Sequence, residues 1–205
     1  MGGDRNTVRS TTACMIVGTF ALALGADAAQ AAFEFGTAPK LPTLPAATLN
    51  GKAQTVNTTM TNFSVTDTRG TKSGWNVTVV GQSGAGKSAV FAQYCPKATC
   101  GTDLEGYVTG GQKMAANSLT LNSTGAKFTG FGTAPTLSCS AGCKVDTATA
   151  VKIASAATGG AGELTWTTTG FSATSLALAV PTTLRALKNE EVYRVNILWT
   201  LATGP

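Results

Sequence analysis

Gly81-Gln82-Ser83-Gly84-Ala85-Gly86-Lys87-Ser88 fits the phosphate-binding loop pattern G-x-x-x-x-G-K-[ST] without a mismatch. In that chemistry backbone amides cradle the phosphates, the lysine reaches the outer ones and the serine hydroxyl holds Mg²⁺. The surroundings oppose it. Such a loop must open a helix whose N-terminus faces the phosphate, yet only Ala89–Tyr94 separates it from Cys95-Pro96. No later apolar strand ends in the aspartate that would give a second magnesium ligand. The preceding stretch, Trp75–Val79, alternates polar and apolar residues, whereas the strands of nucleotide-binding folds are buried on both faces. The segment therefore reads as a surface loop between two strands, partly fixed by a nearby disulfide. No cofactor is expected.

Other constellations are equally bare of catalytic chemistry. The chain has no histidine, which removes the commonest general base and most zinc sites. Glu34, Asp67, Asp103, Glu105, Asp146, Glu163, Glu190 and Glu191 are dispersed, with no pair marked out for acid–base work. The expectation is a protein that is not an enzyme and carries no metal. Fifteen Lys/Arg against ten Asp/Glu give a net charge of +5. The basic residues stand singly, so no nucleic-acid partner is expected. Asn57, Asn62, Asn76 and Asn122 lie in Asn-x-Ser/Thr sequons, a frequency that a Thr-rich composition explains.

The compartment is read from the N-terminus and the cysteines. Arg5 and Arg9 precede the apolar run Ala13–Ala26, and small residues lead to Ala29-Gln30-Ala31. That order predicts a signal peptide over residues 1–31, cleaved after Ala31, and leaves no membrane span. Of the five cysteines, Cys14 falls in this leader. The remaining Cys95, Cys100, Cys139 and Cys143 predict two disulfides in an exported chain. Three connectivities are open. The local one would close short loops around Pro96 and around Ser140-Ala141-Gly142, and a four-thiolate metal site would need tighter spacing.

The elements that must position these groups are strands. Thr, Val and Gly are abundant, and no stretch carries an apolar stripe at helical spacing. Tyr193, Val195, Ile197, Trp199 and Leu201 alternate with mostly polar partners, predicting one strand over Tyr193–Leu201. Phe63–Asp67 and Trp75–Val79 alternate likewise, and the turn-rich Thr68–Gly74 predicts a hairpin between them. Further strands are expected at Ala46–Leu49, Thr55–Met60, Ser118–Asn122, Lys144–Ile153, Gly162–Thr168 and Ser175–Val180. Pro181–Glu191 reads as a loop or short turn. The expected fold is all-β: a single antiparallel β-sandwich, immunoglobulin-like or jelly-roll-like, with long disulfide-containing loops. It would span residues 46–205, preceded by an extended arm over residues 32–45.

Two segments carry a family resemblance. One is the Gly-Trp strand Gly74-Trp75-Asn76-Val77, and the other is the closing Trp199-Thr200-Leu201. Together they resemble the WxL domain of Gram-positive surface proteins, with Val77 in the first motif where the family has Leu. The resemblance implies an antiparallel sandwich held non-covalently on the cell wall, through peptidoglycan or in a matrix role. Trp75, Trp199 and Leu201 would be its motif residues, as core anchors or as a wall-binding row. Both tryptophans fall on the apolar phase of their strands, which favours the core. An alternative is a subunit of an extracellular filament or sheath. In that case Phe33 and Phe35, alternating around Glu34 in the arm, would add as a strand to a neighbour and give self-association.

Overall fold

The computed structural model describes residues 31–205, so the expected leader, but for Ala31, lies outside the described residues. These residues form strands joined by turns. In chain order they are β1 (Phe33–Thr37), β2 (Gln54–Thr58), β3 (Ser64–Asp67), β4 (Trp75–Gly81) and β5 (Ala92–Cys100). Then come β6 (Asp103–Tyr107), β7 (Leu119–Leu121), β8 (Lys127–Thr129), β9 (Thr136–Leu137) and β10 (Cys143–Lys144). The last five are β11 (Val151–Ala156), β12 (Leu164–Thr169), β13 (Leu176–Val180), β14 (Val192–Arg194) and β15 (Ile197–Thr203).

All strand pairs are antiparallel. One layer is the sheet β15-β4-β11-β9. Facing it are two four-stranded sheets, β1-β3-β12-β8 and β10-β7-β13-β2. The runs β3-β12-β8 and β2-β13-β7 have matching order, and each β2/β3, β7/β8 and β12/β13 pair is consecutive in the chain. The two sheets are thus one layer whose strands break midway. A small sheet, β14-β5-β6, is hydrogen-bonded separately from these, with Tyr193 of β14 packed on the core.

The core divides along the same break. Against β4 and β11, the sheet carrying β3, β8 and β12 packs an aromatic cluster of Phe63, Val65, Trp75, Phe128 and Trp166. The other sheet packs an aliphatic cluster around Leu119, Leu121, Ile153, Leu176 and Val180. Alternation in β4 serves both, since Trp75, Val77 and Val79 are buried while Asn76 and Thr78 are not. In β11, a bulge between Lys152 and Ala154 lets the consecutive Ile153 and Ala154 both enter the core.

Several sequence expectations need correction. β3 and β4 are not a hairpin: β3 pairs with β1 and β12, and β4 with β11 and β15. Segment 68–74 instead crosses between layers, ending at Gly74, where a Cβ would lie 2.3 Å from the Ala156 carbonyl. Tyr193–Leu201 is interrupted at Val195-Asn196, and its halves join different sheets. Lys144–Ile153 is likewise split, and Ala46–Leu49 forms no strand. The first residues of the arm are paired within the chain, Phe33↔Asp67 and Phe35↔Val65, and both rings pack on the aromatic cluster.

Candidate functional site

The two tryptophan motifs, at opposite ends of the sequence, become hydrogen-bonded neighbours. β15 lies against β4 with Trp199 opposite Val79, Leu201 opposite Val77 and Thr203 opposite Trp75. The side chain of Asn76 donates to the Gly204 carbonyl at 2.8 Å, and the Gly204 amide donates to Gly74 at 3.1 Å. Trp75 is wholly buried, edge-on to Phe128 with centroids 5.9 Å apart. Trp199 is half-buried and spans both clusters, while the half-buried Leu201 rests on the aromatic one.

Burial of an indole leaves its N–H in need of an acceptor. Trp75 donates to the Gly162 carbonyl at 3.0 Å, and Trp166 donates to the next carbonyl, Glu163, at 2.7 Å. Only glycine fits at 162, because a Cβ there would sit 2.6 Å from the Trp75 ring nitrogen. Gly162 also donates its amide to Thr133, and Gly159 donates to Lys72. The buried rings therefore set the height of three loops at this end of the molecule.

Those loops enclose a pocket of about 350 Å³, lined by Asp67, Thr68, Gly70, Phe131, Gly132, Gly160, Glu163 and Leu164. Between the lining residues Thr68 and Gly70 stands Arg69. Its guanidinium grips both Asp67 carboxylate oxygens at 2.8 Å, reaches Thr203 at 2.6 Å and lies 3.6 Å over the Phe33 ring. The Arg69 hydrogen bonds hold the Asp67 carboxyl below the usual carboxylate range, against a smaller opposing effect of burial. Phe131 is 81% exposed. Leu164 has φ = 69°, a conformation that strains a side chain with a Cβ. Sequence reasoning grouped none of these residues. The usable signal was an aromatic and a carboxylate each set among glycines, in Gly130-Phe131-Gly132 and Gly160-Ala161-Gly162-Glu163.

The family model of the WxL domain, described as surface and cell-wall-binding, matches residues 23–205. The chain belongs to the WxL family. No curated protein and no solved structure matches it. Membership places this WxL domain at the extracellular cell surface, as a cell-wall-binding protein. Among the described residues no helix is long and apolar enough to cross a membrane.

Elsewhere in the WxL domain, the cysteines pair locally, Cys95 with Cys100 and Cys139 with Cys143. The first pair braces the β5–β6 hairpin, a region sequence reasoning left without strands. After Gly81, the buried end of β4, the chain turns toward β5, exposed over residues 83–87 and closed by a Gly84–Lys87 bridge. No helix follows the turn. It is fastened through Asn196, which accepts from the Gln82 and Ser88 amides and donates to the Ser88 carbonyl. Asn196, not the Cys95–Cys100 disulfide, is thus what anchors it. The Ser88 hydroxyl donates to the Val90 carbonyl at 2.7 Å, so it is committed to local structure. A larger apolar groove of about 900 Å³ lies over the aliphatic cluster, between the segments bearing Leu41, Leu44, Leu184 and Val195.

Proposed function

We propose that this WxL domain is a non-catalytic module that holds its protein on the wall by non-covalent binding to peptidoglycan. The observation that carries this is the pairing of the two motif strands beside a loop cluster pinned by buried indoles. A motif built this way works from inside: Trp75 shapes a surface that it never touches. The pocketed end is the natural binding face, because there three loops, a strained backbone and an exposed ring converge. The test is co-sedimentation with purified peptidoglycan sacculi, followed by assay of the supernatant for released fragments. The expected result is retention on the sacculi with no fragments released. Protein left in the supernatant would overturn the binding reading, and released muropeptides would overturn the non-catalytic one.

Assembly into a filament by strand addition through Phe33 and Phe35 has no observation in its favour. β1 already occupies the edge of β3 in its own domain.

A further inference from the structure

We propose that the pocket between Phe131 and Glu163 is a saccharide subsite. Phe131 would supply the face on which a pyranose ring lies, and Glu163 would accept a hydrogen bond from its hydroxyl or acetamido N–H. The inference rests on the wall-binding reading above and names where, and by what chemistry, the wall is held.

Three features of the pocket define its ligand. The first is an unmet acceptor. Glu163 Oε1 is buried without a hydrogen-bond partner, an arrangement that leaves a desolvated oxygen seeking a donor. Glu191 also has an orphaned oxygen, but its other one accepts from Gln93. The second feature is an apolar platform: Phe131 is 81% and Leu164 48% exposed, both on the pocket wall. A surface ring of that size marks a contact site when polar groups converge beside it. The third is charge balance. Asp67 is already neutralised by Arg69, and the Lys72 stem runs past Gly160 on the same side as the Glu163 carboxylate.

A ligand for this pocket must therefore bring hydrogen-bond donors and an apolar face but no net charge. A pyranose does so, with C–H groups on its faces and hydroxyls around its edge. A primary ammonium would also suit a ring beside a carboxylate. It is disfavoured by the Lys72 side chain, which passes Gly160 beside the Glu163 carboxylate, and by the chain's net charge of +5. The strained Leu164 fits the same account, since a clamp residue is held in a costly conformation by the loops around it.

The test uses the full-length secreted protein and two side-chain variants, Phe131→Ala and Glu163→Gln. Neither side chain is packed in the core, so both variants should melt with the wild type. Binding of tri-N-acetylchitotriose is titrated by NMR, retention on sacculi is measured in parallel, and Nα-acetyl-lysine amide serves as the ammonium probe. The expected result is chitotriose binding that weakens at least about tenfold in Phe131→Ala and several-fold in Glu163→Gln. Unchanged chitotriose binding and sacculus retention in both variants would overturn the subsite and leave wall binding standing. Pocket binding of the lysine probe in place of chitotriose would also overturn it. Failure of the wild type to bind sacculi would instead remove the wall-binding reading, and with it the proposal that rests upon it.

Discussion

The sandwich has an aromatic end and an aliphatic end, built against the same β4–β11 pair. At the aromatic end, Phe63 and Trp75 each meet Phe128 edge to face with Trp166 in the same cluster, and the indole N–H groups reach outward to loop carbonyls. At the aliphatic end, branched and linear side chains fill space without polar handles, and an open groove remains above them. Both ends bury a core. The difference is that an indole couples its packing to a hydrogen bond at the surface, whereas leucine couples to nothing beyond its own volume. A tryptophan motif can therefore fix a surface loop from within, and a leucine motif cannot.

The most severe way to break this contrast is Trp75→Ala. Loss of a fully buried indole and its hydrogen bond should destabilise the protein by about 3–5 kcal/mol, seen as a lower midpoint in urea. Trp75→Phe is the sharper probe, because it keeps most of the ring volume and deletes only the N–H to Gly162. Amide exchange at residues 159–164 should then rise more than exchange at Leu119 or Leu121. Equal protection loss at both ends would show that the indole packs but does not fix the loop.

A smaller effect is expected at Trp199, which is only half-buried. Trp199→Ala should destabilise by about 1–3 kcal/mol, on the scale of one partly buried large side chain. Stability equal to wild type, with retention on sacculi lost, would instead assign Trp199 to direct wall contact.

The two ends should also respond oppositely to acid. Arg69 lowers the folded pKa of Asp67, so its contribution is present above the unfolded value of about 3.9 and is lost as pH falls through the folded one. Burial raises the folded pKa of Asp146 at the aliphatic end, even though the Ser118 and Leu119 amides each donate to it at 2.9 Å. Its contribution therefore favours folding below the unfolded value and is lost as pH rises through the folded one. Asp67→Asn should flatten the loss of stability below pH ~4, as read from melting temperatures across pH. An acid limb identical to wild type would remove Asp67 from the account.

Smallest of all is Lys87→Ala in the exposed turn. It should shift stability by less than about 0.5 kcal/mol. Calorimetry with Mg-ATP should give no heat in either protein. A heat that vanishes in the variant would reinstate the phosphate loop.

Much of this architecture was legible in residues. Alternation placed the cores of β3 and β4, because one-sided burial writes period two into the sequence, and β7, β12 and β13 were expected as strands. Cysteine spacings of five and four residues suited local bridges. What escaped has physical causes. The Phe63–Val79 pair looked like a hairpin because alternation records which face is buried, not which layer the strand occupies. β5 and β6 were missed because their small sheet belongs to neither sandwich layer and loses the alternating pattern, as at the exposed Pro96–Thr99. The pocket was invisible because its members come from separated loops. The long-range donation of Trp75 to Gly162, with that of the Gly162 amide to Thr133, brings the loops of Glu163 and Phe131 to one place.

The position of β4 between β11 and β15 also governs when the molecule can form. Both partners of that central strand lie far downstream, and Asn76 meets Gly204 across 128 residues of chain. A polypeptide emerging N-terminus first thus exposes β4 with both edges vacant until almost the whole chain has followed. Closing such distant pairs is entropically slow, in the range of milliseconds to seconds for sandwich topologies. Folding is postponed until the last strand arrives. The two tryptophan motifs can therefore pair only once the C-terminal strand has been made.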